Sequence, residues 1–179
     1  MNATEVSEDM TESTGTERSS RWWLRQDSHA VVMAAPADVI YALISDLPRM
    51  GDWSLECRRV EWLEGSTGPV EGATFIGHNT GGPRGLMKWS RRGRVLTADE
   101  GREFAFVTEE GGRESTEWRY HLEPVAGGTQ VTESYVVRWI PTWARILDVP
   151  TNRVRELRES MAHTLEHLKK AAESTPSAR

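Results

Sequence analysis

Polar and apolar residues alternate along this chain with periods that change twice. The stretch His29–Ala35 (HAVVMAA) reads as a strand stopped by Pro36. Pro36 then opens a helical segment whose Val39, Ile40, Leu43, Ile44 and Leu47 fall on one face, a proline being tolerated in a first helical turn. Pro48 ends that segment, and Arg49–Ser54 reads as a turn or second short helix. Beyond it the period becomes two. Strands are predicted near residues 57–63, 73–79, 86–98, 103–109, 115–123 and 129–139, separated by glycine, proline or acidic turns. Connections as short as Glu110-Gly111-Gly112 and Ala126-Gly127-Gly128 suit antiparallel hairpins. The helical period returns from about residue 150 to 172, where Leu157, Met161, Leu165 and Leu168 lie within roughly 80° of one another at 100° per residue.

A sheet of about seven strands needs its apolar face covered, and only the last helix is long enough to do so. The predicted class is therefore α+β: a curved antiparallel sheet wrapped around a C-terminal helix, with two short helices after the first strand. The 179 residues suit one domain, expected over residues 21–173. Residues 1–20 carry five acids against Arg18 and almost nothing apolar, so they and residues 174–179 are expected to be disordered tails. The remaining 159 residues hold 22 acids and 21 bases, which argues against nucleic acid as a partner. No run approaches the length of a transmembrane helix, the N-terminus does not read as a secretory signal, and Cys57 is the single cysteine. A cytoplasmic protein without a disulfide framework, Cys-based metal site or integral membrane association is expected.

Particular residues carry a resemblance. They are AVVMAAPADVIYALISD from Ala30 to Asp46, Asp52-Trp53, Gly72-Ala73-Thr74-Phe75, TEWRYHLEP from Thr116 to Pro124, and Gly127-Gly128-Thr129-Gln130-Val131-Thr132. With the order of elements, these resemble the START-like helix-grip superfamily, in its polyketide cyclase/dehydrase and lipid-transport (SRPBCC) branch. The resemblance covers about residues 27–172. It implies a cavity between the curved sheet and the last helix, usually for an apolar small molecule.

Alternation selects the side chains that would line such a cavity. In 115–123 the inward set is Thr116, Trp118, Tyr120 and Leu122, leaving Glu117, Arg119, His121 and Glu123 to water. Elsewhere the inward sets are Phe75, Gly77 and Asn79; Trp89, Arg91, Gly93 and Val95; Phe104 and Phe106; and Val131, Glu133, Tyr135, Val137 and Trp139. Leu157 and Met161 would face them from the helix. Two charges, Arg91 and Glu133, thus sit among aromatics, and a buried carboxylate must find a partner or take a proton. Arg91 is the expected partner, with Asn79 orienting either group. The pair would be a polar anchor for a ligand hydroxyl, ketone or carboxylate. It would otherwise be a structural ion pair, or a β-bulge would turn Glu133 outward.

Other candidates weaken on inspection. His163 and His167 are spaced as a metal pair but fall opposite the apolar stripe of the last helix, so a solvated face is expected and no metal or cofactor is inferred. The cluster Arg84, Lys88, Arg91, Arg92 and Arg94 around Trp89 imitates a nucleic-acid patch, yet alternation splits it between two faces. Most of the eight tryptophans are expected to be plain core. Trp143, Ile146 and Leu147 precede the last helix, where they would form a lid, a homodimer contact or a packed helical turn. No Gly-rich phosphate loop or nucleophile relay is present. The leading expectation is binding or transport of a small apolar molecule such as a lipid or polyketide. The alternatives are an aromatase/cyclase using Arg91 and Glu133 as catalytic residues, and a protein-interaction module.

Overall fold

The computed structural model describes residues 26–81, 85–142 and 153–175. Strand β1 (Gln26–Met33) is followed by helix α1 (Ala37–Ser45) and a 3-10 turn (Leu47–Asp52). Six further strands follow: β2 (Cys57–Leu63), β3 (Thr74–Gly81), β4 (Met87–Asp99), β5 (Glu103–Glu110), β6 (Arg113–Val125) and β7 (Gly128–Val137). The long helix α2 (Arg153–Ser174) completes the fold. All seven strands form one antiparallel sheet in the order β1-β7-β6-β5-β4-β3-β2. The predicted elements are present. The first strand begins three residues earlier than the apolar run suggests, because Gln26–Ser28 pair with Ser134–Val136 of β7. In α1 the buried positions are Ile40, Tyr41, Ile44 and Ser45, so its inward face is rotated from the one through Val39 and Leu43.

Two-residue turns set the registers. Ala126-Gly127 leaves Val125 opposite Gly128, which places Leu122 opposite Val131, Tyr120 opposite Glu133 and Trp118 opposite Tyr135. Bulges that leave Leu96 unpaired between Val95 and Thr97, and Ser115 unpaired opposite Thr108 and Glu109, bend β4 and β6. At Gly93 the Phe75 ring lies where a Cβ would stand only 2.3 Å away, so glycine lets this aromatic cross onto β4. Phe75 then meets Phe106 edge-on, with ring centroids 5.5 Å apart, and Trp62, Phe104 and Tyr41 extend the aromatic chain.

Helix α2 covers the concave face. Met161, Leu165, Leu168 and Ala172 are buried on it, and at about 1.5 Å per residue it spans roughly 33 Å. Polar contacts hold it in place around that stripe. Arg158 pairs with Asp27 at the start of β1, and Glu173 accepts the Ala34 N–H at the end of β1 (2.9 Å). His163 Nδ1 bonds the Trp53 carbonyl at 3.0 Å, and His167 Nδ1 the His163 carbonyl at 2.9 Å, their rings stacked at 3.9 Å. The two histidines are therefore half-buried against the 3-10 turn rather than solvated.

On the convex face Ala105 and Val107 are buried, and among the described residues ion pairs cover that face rather than a second layer of secondary structure. Arg138 bridges Glu114 and Glu117; Arg119 bridges Glu117 and Glu103; Arg94 joins Glu114. Burial alone would raise the Glu117 carboxyl, but hydrogen bonds from Arg119 and Arg138 outweigh it and hold it below the ordinary range.

Leu165 is fully buried on the sheet side of α2. Leu165→Asp is expected to abolish cooperative folding, because an unpaired buried carboxylate costs several kcal/mol, comparable to the whole stability of a domain. Thermal unfolding followed by circular dichroism checks this; a soluble variant with unchanged Tm would contradict the placement of α2.

Candidate functional site

The inward side chains predicted from alternation share the concave face, Trp139 excepted, and the candidate site residues among them divide into three groups. Phe75 and Phe106 belong to the continuous apolar core. Asn79, Trp89 and Arg91 stand half-buried towards the β3–β4 hairpin. Tyr120, Glu133 and Tyr135 are buried with Trp118 partly so, and Met161 is buried and Leu157 half-buried on the helix above. Only this third group has the character of a site.

Register explains the grouping. Cross-strand partners share a face, so Tyr120 and Glu133, and Trp118 and Tyr135, are side-by-side pairs. The Trp118 and Tyr135 rings are 5.4 Å apart. The Tyr120 hydroxyl donates to Glu133 Oε1 at 2.9 Å. Glu133 is only 3% exposed, and its Oε2 has no hydrogen-bond partner among the described residues. Tyr120 belongs to the main apolar cluster and Trp118 packs against it, whereas Tyr135 and Met161 are buried outside it.

The expected pairing of Glu133 with Arg91 does not form. Arg91 pairs with Glu110. Glu110 lies six residues beyond Phe104, the β5 residue opposite Tyr120, which is about 20 Å along the strand. Arg91 is also three strands from β7, or about 14 Å across the sheet. Asn79 orients neither group, its Nδ2 donating to the Gly77 carbonyl at 3.3 Å. Nor does a bulge turn Glu133 outward, since β6 and β7 pair without interruption. Trp139 leaves the sheet after Val137, and its ring stacks under the Arg113 guanidinium at 5.1 Å. The Trp143, Ile146 and Leu147 segment lies outside the described residues.

The electrostatics follow from burial. With one phenol hydrogen bond and no ion pair among the described residues, Glu133 cannot keep a charge cheaply. Desolvation pushes its carboxyl up to about 8 against the partial relief from Tyr120, and burial beside Glu133 raises the Tyr120 hydroxyl well above its ordinary value. Burial also pushes the Cys57 thiol up to about 11, which leaves it an inert thiol at neutral pH. No group of three or more metal-ligating side chains occurs among the described residues.

A groove of about 460 Å³ runs between β1 and α2 beside this group, lined by Asp27, Ser28, His29, Arg158, Glu159, Met161 and Ala162. Asp27 and His29 are the β1 partners of Tyr135 and Glu133, so the groove flanks the buried carboxyl. Sequence reasoning passed over both residues, as it did the Tyr120–Glu133 bond. The signal for that bond was present in the two-residue turn at Ala126-Gly127, from which Tyr120 and Glu133 count back to opposite positions.

A raised carboxyl destabilises the fold as pH rises. The unfolded glutamate ionises near its ordinary value and the folded one near 8. Stability carried by this group is therefore complete in acid and is lost between about pH 4.5 and 8. Glu133→Gln, which can still accept the Tyr120 bond, is expected to match the parent Tm near pH 5 and to exceed it by several degrees at pH 8. Thermal melts across that range check this. A substitution that lowers Tm equally at both values would show an ionised, stabilising carboxylate instead.

The family model for polyketide cyclase/dehydrase and lipid transport matches residues 27–173. No curated protein matches the chain. Solved structures do. A polyketide-cyclase-like protein, Cgl2372 of Corynebacterium glutamicum, is 27% identical, with 82% of this chain and 90% of that one covered at a TM-score of 0.54. CV1439 of Chromobacterium violaceum is 16% identical over 85% of this chain and 100% of that one, at 0.63. StfQ, a di-domain aromatase/cyclase from the steffimycin biosynthetic pathway, is 15% identical over 86% of this chain and 52% of that one, at 0.67. The last two share the helix-grip fold: a curved seven-stranded sheet closed by a C-terminal helix. By a match that spans residues 27–173 of its 179, this chain is a member of the polyketide cyclase/dehydrase and lipid-transport family.

Proposed function

We propose that this protein binds a small apolar molecule between the concave face of the sheet and α2, in contact with Trp118 and Tyr135 and anchored at the Tyr120–Glu133 pair. The observation that supports this most directly is Glu133 itself, buried among aromatics with one oxygen unpartnered among the described residues. A fold gains no stability from a buried acid that makes one hydrogen bond, and such residues cluster where function requires them. Aromatic side chains around one polar point are the usual composition of a small-molecule site, apolar surface giving affinity and the polar group orientation.

A second reading is favoured by the protonation of the same residue. A carboxyl that titrates near pH 8 is suited to give and take protons at neutral pH, as a cyclisation of a poly-ketone would require. StfQ is an aromatase/cyclase with the same fold. In this reading Glu133 moves the proton and Tyr120 holds the carboxyl in place. Arg91, bound to Glu110 far up the sheet, has no part in it.

Nile red, a neutral environment-sensitive dye, is expected to bind with micromolar affinity, and Trp118→Ala to weaken binding by about five- to a hundredfold, the range for a lost aromatic contact. Fluorescence titration measures both. Absence of binding to the parent protein, or indifference to Trp118→Ala, would overturn the site. Presented with a linear poly-ketone, a cyclase turns it over and loses turnover in Glu133→Gln, whereas a carrier shows none in either form.

A further inference from the structure

The polar end of the site has a definite hydrogen-bonding sense. We propose that its ligand is an uncharged molecule presenting a carbonyl oxygen, and that Glu133 receives that oxygen through a carboxylic acid O–H on Oε2. This rests on the binding reading above and names the class of molecule bound.

The groups around Glu133 lead to it. From β6 the Tyr120 hydroxyl donates to Oε1, so that oxygen is occupied as an acceptor. From β1 come Asp27, committed to Arg158, and His29, which is exposed. From β7 itself comes the Tyr135 phenol, and from β2 Cys57, a neutral thiol near Tyr120. From α2 come Arg158, whose Nε bonds Asp27, and Glu159, whose carboxylate bonds Arg155. Arg91 is held by Glu110. No cation among the described residues is bonded to Glu133. A carboxyl so placed is mostly neutral at pH 7 and below, in keeping with its upward shift to about 8. A neutral carboxyl whose Oε1 accepts from tyrosine carries its proton on Oε2, the oxygen without a partner among the described residues.

A donor left unsatisfied in an apolar environment is costly, so a ligand that supplies an acceptor gains and one that supplies hydrogens alone does not. A ketone, ester or amide oxygen meets that need. A ligand carboxylate would also accept the bond, but it would bring a full charge to a place where the nearest cation among the described residues, Arg158, is already committed to Asp27, and the desolvation penalty would exceed the gain.

Three naphthalenes of one shape separate these cases: 2-acetylnaphthalene, 2-isopropenylnaphthalene (methylene in place of the carbonyl oxygen) and 2-naphthoate, each titrated calorimetrically into the full chain. At pH 6.5 the ketone is expected to bind about tenfold more tightly than either of the others. Its advantage over the hydrocarbon should vanish between pH 8 and 9.5, as Glu133 loses the proton it donates. In Glu133→Gln the side-chain oxygen can keep the Tyr120 bond and the amide N–H can donate, so the advantage should persist at both pH values. Equal affinities for all three probes, tightest binding of the naphthoate, or a ketone preference that falls with pH in Glu133→Gln as in the parent would overturn the donor assignment while leaving the cavity standing. Failure of all three to bind would overturn the cavity and the assignment together.

Discussion

The fold depends on one act of burial. A curved sheet of seven strands cannot leave its concave face wet, and the described residues offer one element long enough to close it. Leu165, Leu168 and Ala172 of α2 complete the core with the aromatic chain from Trp62 to Tyr41. The ion pair at Asp27, the histidine bond to Trp53 and the carboxylate at Ala34 fix where that stripe lands. The convex face is dealt with more cheaply, by long arginine and glutamate side chains whose stems cover Ala105 and Val107 while their charged ends pair.

Against that background Glu133 is anomalous. Every neighbouring inward position on its strand supports packing: Val131 is part of the core and Tyr135 packs at a tilt against Trp118. Glu133 instead sits where α2 passes from the apolar core to the groove beside β1, and the burial of a carboxyl there lowers stability at neutral pH. The convex-face acids show the contrast. Glu117 is also drawn out of water, but two arginines hold it ionised. Glu133 has a phenol, and goes the other way. Such a local conflict with folding physics is what supports the proposal that Glu133 serves binding or chemistry.

Much of this was legible in the sequence. Alternation assigned Trp118, Tyr120, Glu133 and Tyr135 to the concave face correctly because each strand has one face towards the core. Helical spacing likewise put Met161 and Leu165 towards the sheet. What alternation cannot supply is height along a strand or distance across the sheet. Arg91 and Glu133 share a face, so a face-only reading paired them, although β6 and β5 lie between their strands. Their real partners were decided by register, through the turn that sets Tyr120 opposite Glu133. The histidines of α2 failed for a different reason: a helical wheel gives the direction from the axis but not the presence of the 3-10 turn that meets His163. The family match and the shared helix-grip fold agree with the architecture, and leave the ligand to be read from the site.

The central claim is that a small apolar molecule lies under α2 in contact with the Trp118–Tyr135 and Tyr120–Glu133 pairs. Intermolecular nuclear Overhauser effects with bound 2-acetylnaphthalene, on protein labelled at methionine methyls and tryptophan rings, test it most directly. The account predicts contacts from the probe to the Met161 methyl and the Trp118 ring. Contacts confined to Met87 and Trp89 at the β3–β4 hairpin, or to no labelled group on the concave face, would contradict it.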